Sequence, residues 1–356
     1  MHDHLAALAK ACALAAALGA LATVPAAAQR PEAVALYDQA RAALPDRDAL
    51  QRLLDQAIGL DPNYAAAYAL KAEQYAAAIA GAVARSADMA PAAELDRLAV
   101  RNAEQALALD PTLASAHAAL GLAHRQFWRW PAALAAYGKA YELTPSDPNA
   151  LFNWVWFNSF ARRHDVAIAA AQRGVELHAT SANAHRDLGL AFAYAGQPEP
   201  ASAALRKCAE LDPRVSICHI YLALMQVRLA NPAVAVAELG KAEALFGPTP
   251  TPATVSSVAH AYSRAGMSAD AARLFTRLEA QAESGVVGAG SWPLGYLAIG
   301  DAERAFEWLA RAVGKIERHE PDEGFFNLMI IKANVGANPI LDEPRFRALR
   351  DRIGTL

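Results

Sequence analysis

Histidines are the residues of this sequence best suited to catalysis or metal binding, but their spacing supports neither role. They are scattered, and none forms an HExxH motif or the tight cluster with cysteine that a zinc site needs. Positions on the surface or between helices explain them better: His164, His178, His185, His219 and His260. We therefore predict no catalytic residue, no metal ligand and no cofactor.

Two short segments with glycine or acidic residues also lack the context that chemistry requires. Gly285–Gly290 resembles a phosphate-binding loop only loosely, because no Lys-Ser or Lys-Thr pair follows it, and it is interpreted as a turn between helices. The acidic residues around Pro321 are interpreted as a solvated loop rather than as paired catalytic carboxylates. They are Glu317, Glu320, Asp322 and Glu323.

The elements that must position the remaining side chains repeat at a fixed period. Six blocks follow one another at 34 residues, with two extra residues before the fifth, and their first residues are Ala114, Pro148, Ala182, Ser216, Pro252 and Val286. The twentieth residue of every block is alanine: Ala133, Ala167, Ala201, Ala235, Ala271 and Ala305. Spacing and residue identity agree, which indicates one structural unit repeated along the chain.

Small and large residues recur within the block where two helices must pack. The eighth residue is mostly small: Gly121, Val155, Gly189, Ala223, Ala259 and Pro293. The twenty-fourth is large and apolar in five blocks: Tyr137, Ala171, Leu205, Leu239, Phe275 and Leu309. Small residues let the two helices of a unit approach closely, and the large residue fills the space between units. The fifteenth residue is glycine in three blocks: Gly196, Gly266 and Gly300.

The repeat is irregular at both ends. The predicted units span about 31–64, 65–113, 114–147, 148–181, 182–215, 216–251, 252–285 and 286–319, followed by a cap over 320–356. The second unit has 15 extra residues near 80–94, which are predicted to form a long turn between its helices. Within the cap, Asp342–Ile353 is predicted to be a polar helix that covers the final apolar face.

The sequence resembles the tetratricopeptide repeat, a helix–turn–helix unit. The resemblance is carried by Leu120-Gly121, by Leu188-Gly189, by the alanine at position 20 and by a closing proline in two blocks. It implies an all-α fold: a right-handed superhelical solenoid of about eight units with a C-terminal capping helix. The repeat region also resembles those of bacterial winged-helix regulators and adenylate cyclases. Their effector domains are not recognised in this sequence, so neither activity is inferred.

The resemblance also implies which side chains line a concave groove, since the second, fifth, ninth, twelfth and thirteenth residues of each unit usually face it. Three rings fall on one stripe of that groove, with core packing as the alternative: Phe152, Trp156 and Phe160. Four arginines suited to carboxylates fall there with no acid, with ordinary ion-paired side chains as the alternative: Arg125, Arg186, Arg228 and Arg264. The other groove candidates are Gln126, Asn149, Asn183, Tyr194 and His260.

Two cysteines fall on helices that the repeat makes neighbours. Cys208 lies on the second helix of one unit, and Cys218 lies on the first helix of the next. A disulfide between them is possible in an oxidising compartment, provided that the Cα atoms come within about 7 Å. Two buried free thiols are the preferred interpretation.

The first residues have the layout of a secretory signal peptide. Ala11–Ala28 is uncharged, follows Lys10 and ends in three alanines, so residues 1–28 are predicted to be removed near Gln29. The predicted location is then the periplasm or the exterior. The alternative is a retained inner-membrane anchor formed by residues 5–24.

Charge and composition narrow the possible functions. The chain has 33 Lys+Arg against 36 Asp+Glu, a net charge of −3, which argues against a broad basic surface for nucleic acid. We predict an exported scaffold that binds a protein or peptide in its groove, with an extended or acidic segment as the ligand. The alternatives are a membrane-anchored envelope sensor or assembly factor, and an enzyme with an unrecognised site.

Overall fold

The computed structural model describes residues 30–43, 46–85, 89–285, 287–322 and 324–353. These residues form α-helices, one 3₁₀ helix at Pro339–Asp342, and no strand. The helices are α1 (Pro31–Ala42), α2 (Arg47–Leu60), α3 (Ala65–Arg85), α4 (Ala90–Leu109), α5 (Ala114–Gln126), α6 (Trp130–Leu143), α7 (Pro148–Phe160), α8 (His164–Leu177), α9 (Ala182–Tyr194), α10 (Pro198–Leu211), α11 (Ser216–Arg228), α12 (Pro232–Ala244), α13 (Pro252–Arg264), α14 (Ser268–Ser284), α15 (Trp292–Ala298), α16 (Ala302–Glu317), α17 (Phe325–Ala333) and α18 (Pro344–Arg352).

The chain divides into two compact units at Tyr64. In the first unit, α1 and α2 pack as a hairpin, and the rings of Tyr37 and Tyr64 lie 5.2 Å apart. In the second unit, α3 to α16 pair in order as further hairpins. The helix α3 ends at Arg85 and α4 begins at Ala90, so the long turn predicted near 80–94 is wrong. The extra residues lengthen both helices of that hairpin instead.

Local signals explain where the hairpins begin and turn. The Asp147 carboxylate caps α7 by accepting the Asn149 and Ala150 amides at 3.0 and 2.8 Å. The fifteenth residue of each block turns the chain with a positive φ: Trp128 (56°), Arg162 (60°), Gly196 (74°), Ala230 (57°), Gly266 (84°) and Gly300 (81°). Glycine takes this conformation freely, whereas each of the other three side chains costs about 1 kcal/mol there.

Packing within the hairpins brings the eighth and twenty-fourth positions into contact. A Cβ on Gly121 would lie 2.6 Å from the Tyr137 ring, and one on Gly189 would lie 2.5 Å from Leu205. Both large residues are 0–1% exposed. Close approach at these glycines therefore allows the bulky partner to fill the layer between hairpins.

The last hairpin is covered as the sequence predicted, by the helix α18. The ring of Phe346 is buried and lies 5.5 Å from Phe306 on α16, and Arg352 forms an ion pair of 2.7 Å with Glu317. Across the described residues, no helix is both long and apolar enough to cross a bilayer. The predicted leader and the alternative anchor over residues 5–24 lie outside those residues.

The glycine-rich turn and the acidic loop meet each other before α17. One carboxylate oxygen of Asp322 accepts the amides of Gly290 at 3.0 Å and Gly324 at 2.8 Å, while the other accepts from Lys315 at 3.3 Å. The Asp322 side chain is 1% exposed, so the prediction that it belongs to a solvated loop is wrong. A Cβ on Gly324 would lie 2.3 Å from the Gly290 backbone, so the two turns touch only because both residues are glycine.

Candidate functional site

The first helices of successive hairpins lie side by side and form one surface. Those helices are α5, α7, α9, α11 and α13. The sequence-predicted groove residues lie on them, but the chain itself covers half of the set. Residues 325–337, here called the C-terminal segment, comprise α17 and the four residues after it. The covered residues form the closed groove: Trp156, Phe160, Tyr194, Arg228, His260 and Arg264. The others form the open groove: Arg125, Gln126, Asn149, Phe152, Asn183 and Arg186.

Aromatic packing holds α17 in the closed groove. The Phe325 ring lies 5.1 Å from Trp128, 5.9 Å from Trp130 and 5.5 Å from Phe160, and it is only 7% exposed. The next ring, Phe326, meets Trp156 edge-on at 5.1 Å. These contacts make α17 part of the hydrophobic core of the hairpins.

Polar contacts continue the attachment beyond α17. Arg228 donates to the carbonyls of Asn334 and Val335 at 3.4 and 3.5 Å, and Arg264 donates to that of Ala337 at 3.2 Å. Two of the four predicted groove arginines are thus engaged by the backbone of the same chain. These contacts hold the residues that follow α17 against the first helices of two hairpins.

Buried groups line the seam between the closed groove and the segment. His260 is 1% exposed and lies against Gly336, and burial, with a further contribution from Arg264, lowers its pKa to about 3. The hydroxyls of Tyr194 and Tyr221 hydrogen-bond at 2.8 Å. Since the rings of the closed groove are buried, they serve internal packing, whereas Arg228 and Arg264 are half-buried at its edge.

The open groove carries the remaining candidates on α5, α7 and α9. A cavity of about 530 Å³ there is lined by Arg125, Asn149 and Phe152, together with Glu73 and Tyr137. Asn149 is exposed at its edge. The Tyr137 hydroxyl is buried and has no hydrogen-bond partner among the described residues. The cavity therefore offers an apolar wall with the polar side chains of Arg125 and Asn149 beside it.

The arginine of α9 is neutralised by its neighbour. Arg186 forms an ion pair of 2.8 Å with Asp187, donates to Asn183 at 2.8 Å, and lies 4.9 Å above the Phe152 ring. Burial raises the pKa of Asp187 to about 6, against the opposing effect of Arg186. The four arginines predicted to line the groove therefore do not all contribute free positive charge. In the open groove, Arg186 is paired with Asp187, and the described residues provide no ion pair for Arg125.

The two neighbouring cysteines are bonded in the structure. Cys208 on α10 and Cys218 on α11 form a disulfide with Cα atoms 6.3 Å apart, so the preferred alternative of free thiols was wrong. Both residues are fully buried. The bond ties one hairpin to the next.

Three histidines stabilise the turns between hairpins, a role that the sequence analysis did not predict. The histidine side chain occupies the fourth position of three blocks and bonds the carbonyl six residues earlier: His117 to Pro111, His185 to Ala179 and His219 to Pro213, at 2.9–3.1 Å. These bonds fasten the turns between hairpins. Among the described residues, no group of His, Cys, Asp and Glu side chains is arranged to hold a metal ion.

Comparison with known proteins identifies the fold. Neither a family model nor a curated protein matches the sequence. A tetratricopeptide repeat protein from Parabacteroides merdae ATCC 43184 matches 76% of this chain and 99% of its own, at 14% identity and a TM-score of 0.54. PilW, a type IV pilus biogenesis factor, matches 53% of this chain and 86% of its own, at 18% identity and a TM-score of 0.45. YrrB, a TPR protein with an unusual peptide-binding site, matches 54% and 91%, at 18% identity and a TM-score of 0.39.

The paired helices and their fixed period define an α-helical hairpin-repeat protein. The Parabacteroides structure agrees over three quarters of the chain, so the fold is that of a tetratricopeptide-repeat protein, as the sequence predicted.

Proposed function

We propose that this protein is an exported interaction scaffold that binds a segment of another protein in its open groove. The observation that carries the proposal is the division of the surface. The chain seals the closed groove with its own residues, while Asn149, Asn183 and Phe152 remain accessible beside a cavity of about 530 Å³. An accessible, partly apolar groove next to a sealed one is suited to a ligand from outside.

The side chains of the open groove suit an extended polypeptide. Asparagine amides offer a donor and an acceptor, which match the alternating groups of an extended backbone. The Phe152 ring, held under Arg186, supplies a flat apolar surface for a ligand side chain. Arg125 favours a carboxylate on the ligand. Because Arg186 is paired with Asp187, one acidic group on the ligand suffices, rather than a long acidic run.

Two observations support export. The layout of residues 1–28 is typical of a cleaved leader, and a buried disulfide persists best in an oxidising compartment. We propose the periplasm or the exterior as the location, with a retained anchor over residues 5–24 as the alternative. The mass of the protein recovered from cell fractions separates the two: a soluble product that begins near Gln29 supports cleavage, and a membrane-bound product that retains Met1 contradicts it.

Peptide selection tests the scaffold function without a known partner. Residues 29–356 are used to select binders from a displayed random-peptide library, and each binder is measured against N149A/F152A and against R173A. We expect the double variant to lose at least about tenfold in affinity, because hydrogen-bonding and apolar contacts are removed together. Arg173 lies on α8 in an exposed ion pair with Glu176, so its variant is the matched control.

The outcomes of this selection are decisive for the groove. Binders that respond to the open-groove variant and not to the control support the proposal. Binders that respond to neither variant, in correctly folded proteins, contradict it and move the interaction to another surface.

A further inference from the structure

A second cavity lies where the C-terminal segment meets the open groove. Its volume is about 550 Å³, within the range of sites that bind small molecules. The wall is largely apolar and comes from two sides: Ile217 and Ile220 on α11, and Phe325, Phe326 and Ile330 on α17. This wall exists only because the segment is docked, so no single helix pair provides it.

One ring in this wall is exposed although its position is fixed. Phe326 is 39% exposed, yet it contacts Trp156 edge-on at 5.1 Å and Phe325 at 5.4 Å. Water against such a ring is unfavourable by about 25 cal/mol for each Å² of apolar surface. A ligand that covers Phe326 gains that free energy without reordering the wall, because neighbouring rings already fix its position.

A single arginine lines the same cavity, and among the described residues no carboxylate forms an ion pair with it. The Arg125 guanidinium lies 5.5 Å above the Phe325 ring. Its Nε is buried and unbonded, and no carboxylate of the described residues forms an ion pair with it. The acid that also lines the cavity, Asp322, already accepts the amides of Gly290 and Gly324 and the ammonium of Lys315. The cavity therefore holds an unbalanced positive charge beside an apolar wall.

We propose that this cavity binds a small amphipathic monocarboxylic acid, with the carboxylate on Arg125 and the alkyl chain along Phe326, Ile217 and Ile220. Arg125 supplies a charge-assisted contact, and the ring beneath it keeps the guanidinium in place. The inference goes beyond the scaffold function, since its ligand is a small molecule, although Arg125 borders both cavities.

Titration calorimetry with a series of free acids tests the proposal. Hexanoate, octanoate and decanoate are titrated as monomers into residues 29–356, with decyltrimethylammonium as the control of opposite charge. We expect saturable binding that strengthens about threefold to fourfold for each added CH₂. The cationic control is expected not to bind saturably.

Three variants locate the ligand. R125Q should weaken decanoate binding by about tenfold to a hundredfold through loss of the charged contact. F326A should flatten the dependence on chain length, and N149A/F152A should leave decanoate binding unchanged. That last variant separates this site from the peptide site of the open groove.

Several results would overturn the proposal. They are no saturable binding of decanoate, equal binding of the cationic control, or unchanged affinity in R125Q. Competition between decanoate and a peptide selected on the open groove, with loss of both in N149A/F152A, would assign the cavity to the peptide instead.

Discussion

The open groove and the closed groove are built from the same positions of the same repeat, yet they differ in what covers them. Phe152 in the open groove and Phe160 in the closed groove lie on one helix, two turns apart. Phe160 is 3% exposed beneath α17, whereas Phe152 borders a cavity of about 530 Å³. A position within the repeat therefore decides which way a side chain points. It does not decide whether that side chain reaches solvent, which depends on the C-terminal segment.

The largest expected effect comes from removing the ring that attaches the segment. F325A deletes a buried ring packed against Trp128, Trp130 and Phe160, so we expect a loss of about 3–5 kcal/mol in the free energy of unfolding. Denaturant unfolding measures it. F326A is the matched control, since its ring is 39% exposed, and it should cost about 1 kcal/mol. Equal losses in the two variants would mean that the segment is not part of the core.

Lowering the pH is expected to have an intermediate effect on the free energy of unfolding. The effect has opposite signs for His260 in the closed groove and for Asp187 beside the open groove. The pKa of His260, about 3 in the folded chain, lies below its ordinary value of 6.5. The unfolded state then binds the extra proton, and stability falls as the pH is lowered from about 6.5 toward 3, by at most about 1.4 kcal/mol per pH unit. The pKa of Asp187, about 6, lies above its ordinary 3.8, so this carboxyl adds stability as the pH falls from 6 to 3.8.

Melting temperatures between pH 7 and pH 4 check the two signs. H260N should flatten the loss of stability on acidification, because the closed groove no longer contains a group that must stay neutral. D187N should make that loss steeper, because the opposing contribution of the open groove is gone. Parallel profiles for both variants and the parent would refute this assignment.

The smallest expected effect concerns the arginines. R228A removes two long hydrogen bonds to the C-terminal segment, and we expect a loss of about 1 kcal/mol. R125A removes a cation–π contact in the open groove and should cost at most about 0.5 kcal/mol. Thermal unfolding of both variants at one pH gives the comparison. A larger loss of stability for R125A than for R228A would show that side chains of the open groove also stabilise the fold.

Local and periodic features were predictable from the sequence. The helix pairs, the close approach of two helices at Gly121, and the capping helix α18 follow from spacing, residue size and helix-ending residues. The positive φ at Trp128 and Arg162 was not predictable from residue type. This conformation can be predicted only by aligning the two residues with Gly196, which occupies the same position of the repeat.

The division of the groove was not predictable from the same reasoning. The contact between Arg228 and Asn334 joins residues 106 positions apart, and the segment itself does not repeat. Its composition does carry a signal: the run from Phe325 to Ile331 is too apolar to remain exposed to solvent. That composition indicates that the run is buried, but it does not indicate which surface the run packs against. The pairing of Arg186 with Asp187 was missed because the acid falls at a position not assigned to the groove.

The docked segment has a consequence for how this gene can change. In an open array, each hairpin contacts only its neighbours, so duplicating or deleting one block leaves every interface intact. Here, an added block between Ala182 and Arg228 would shift Asn334–Ala337 by one hairpin relative to the aromatic residues that receive Phe325. Docking of the C-terminal segment therefore fixes the number of hairpins. Recombination that adds or removes a block is expected to produce chains in which this segment cannot dock.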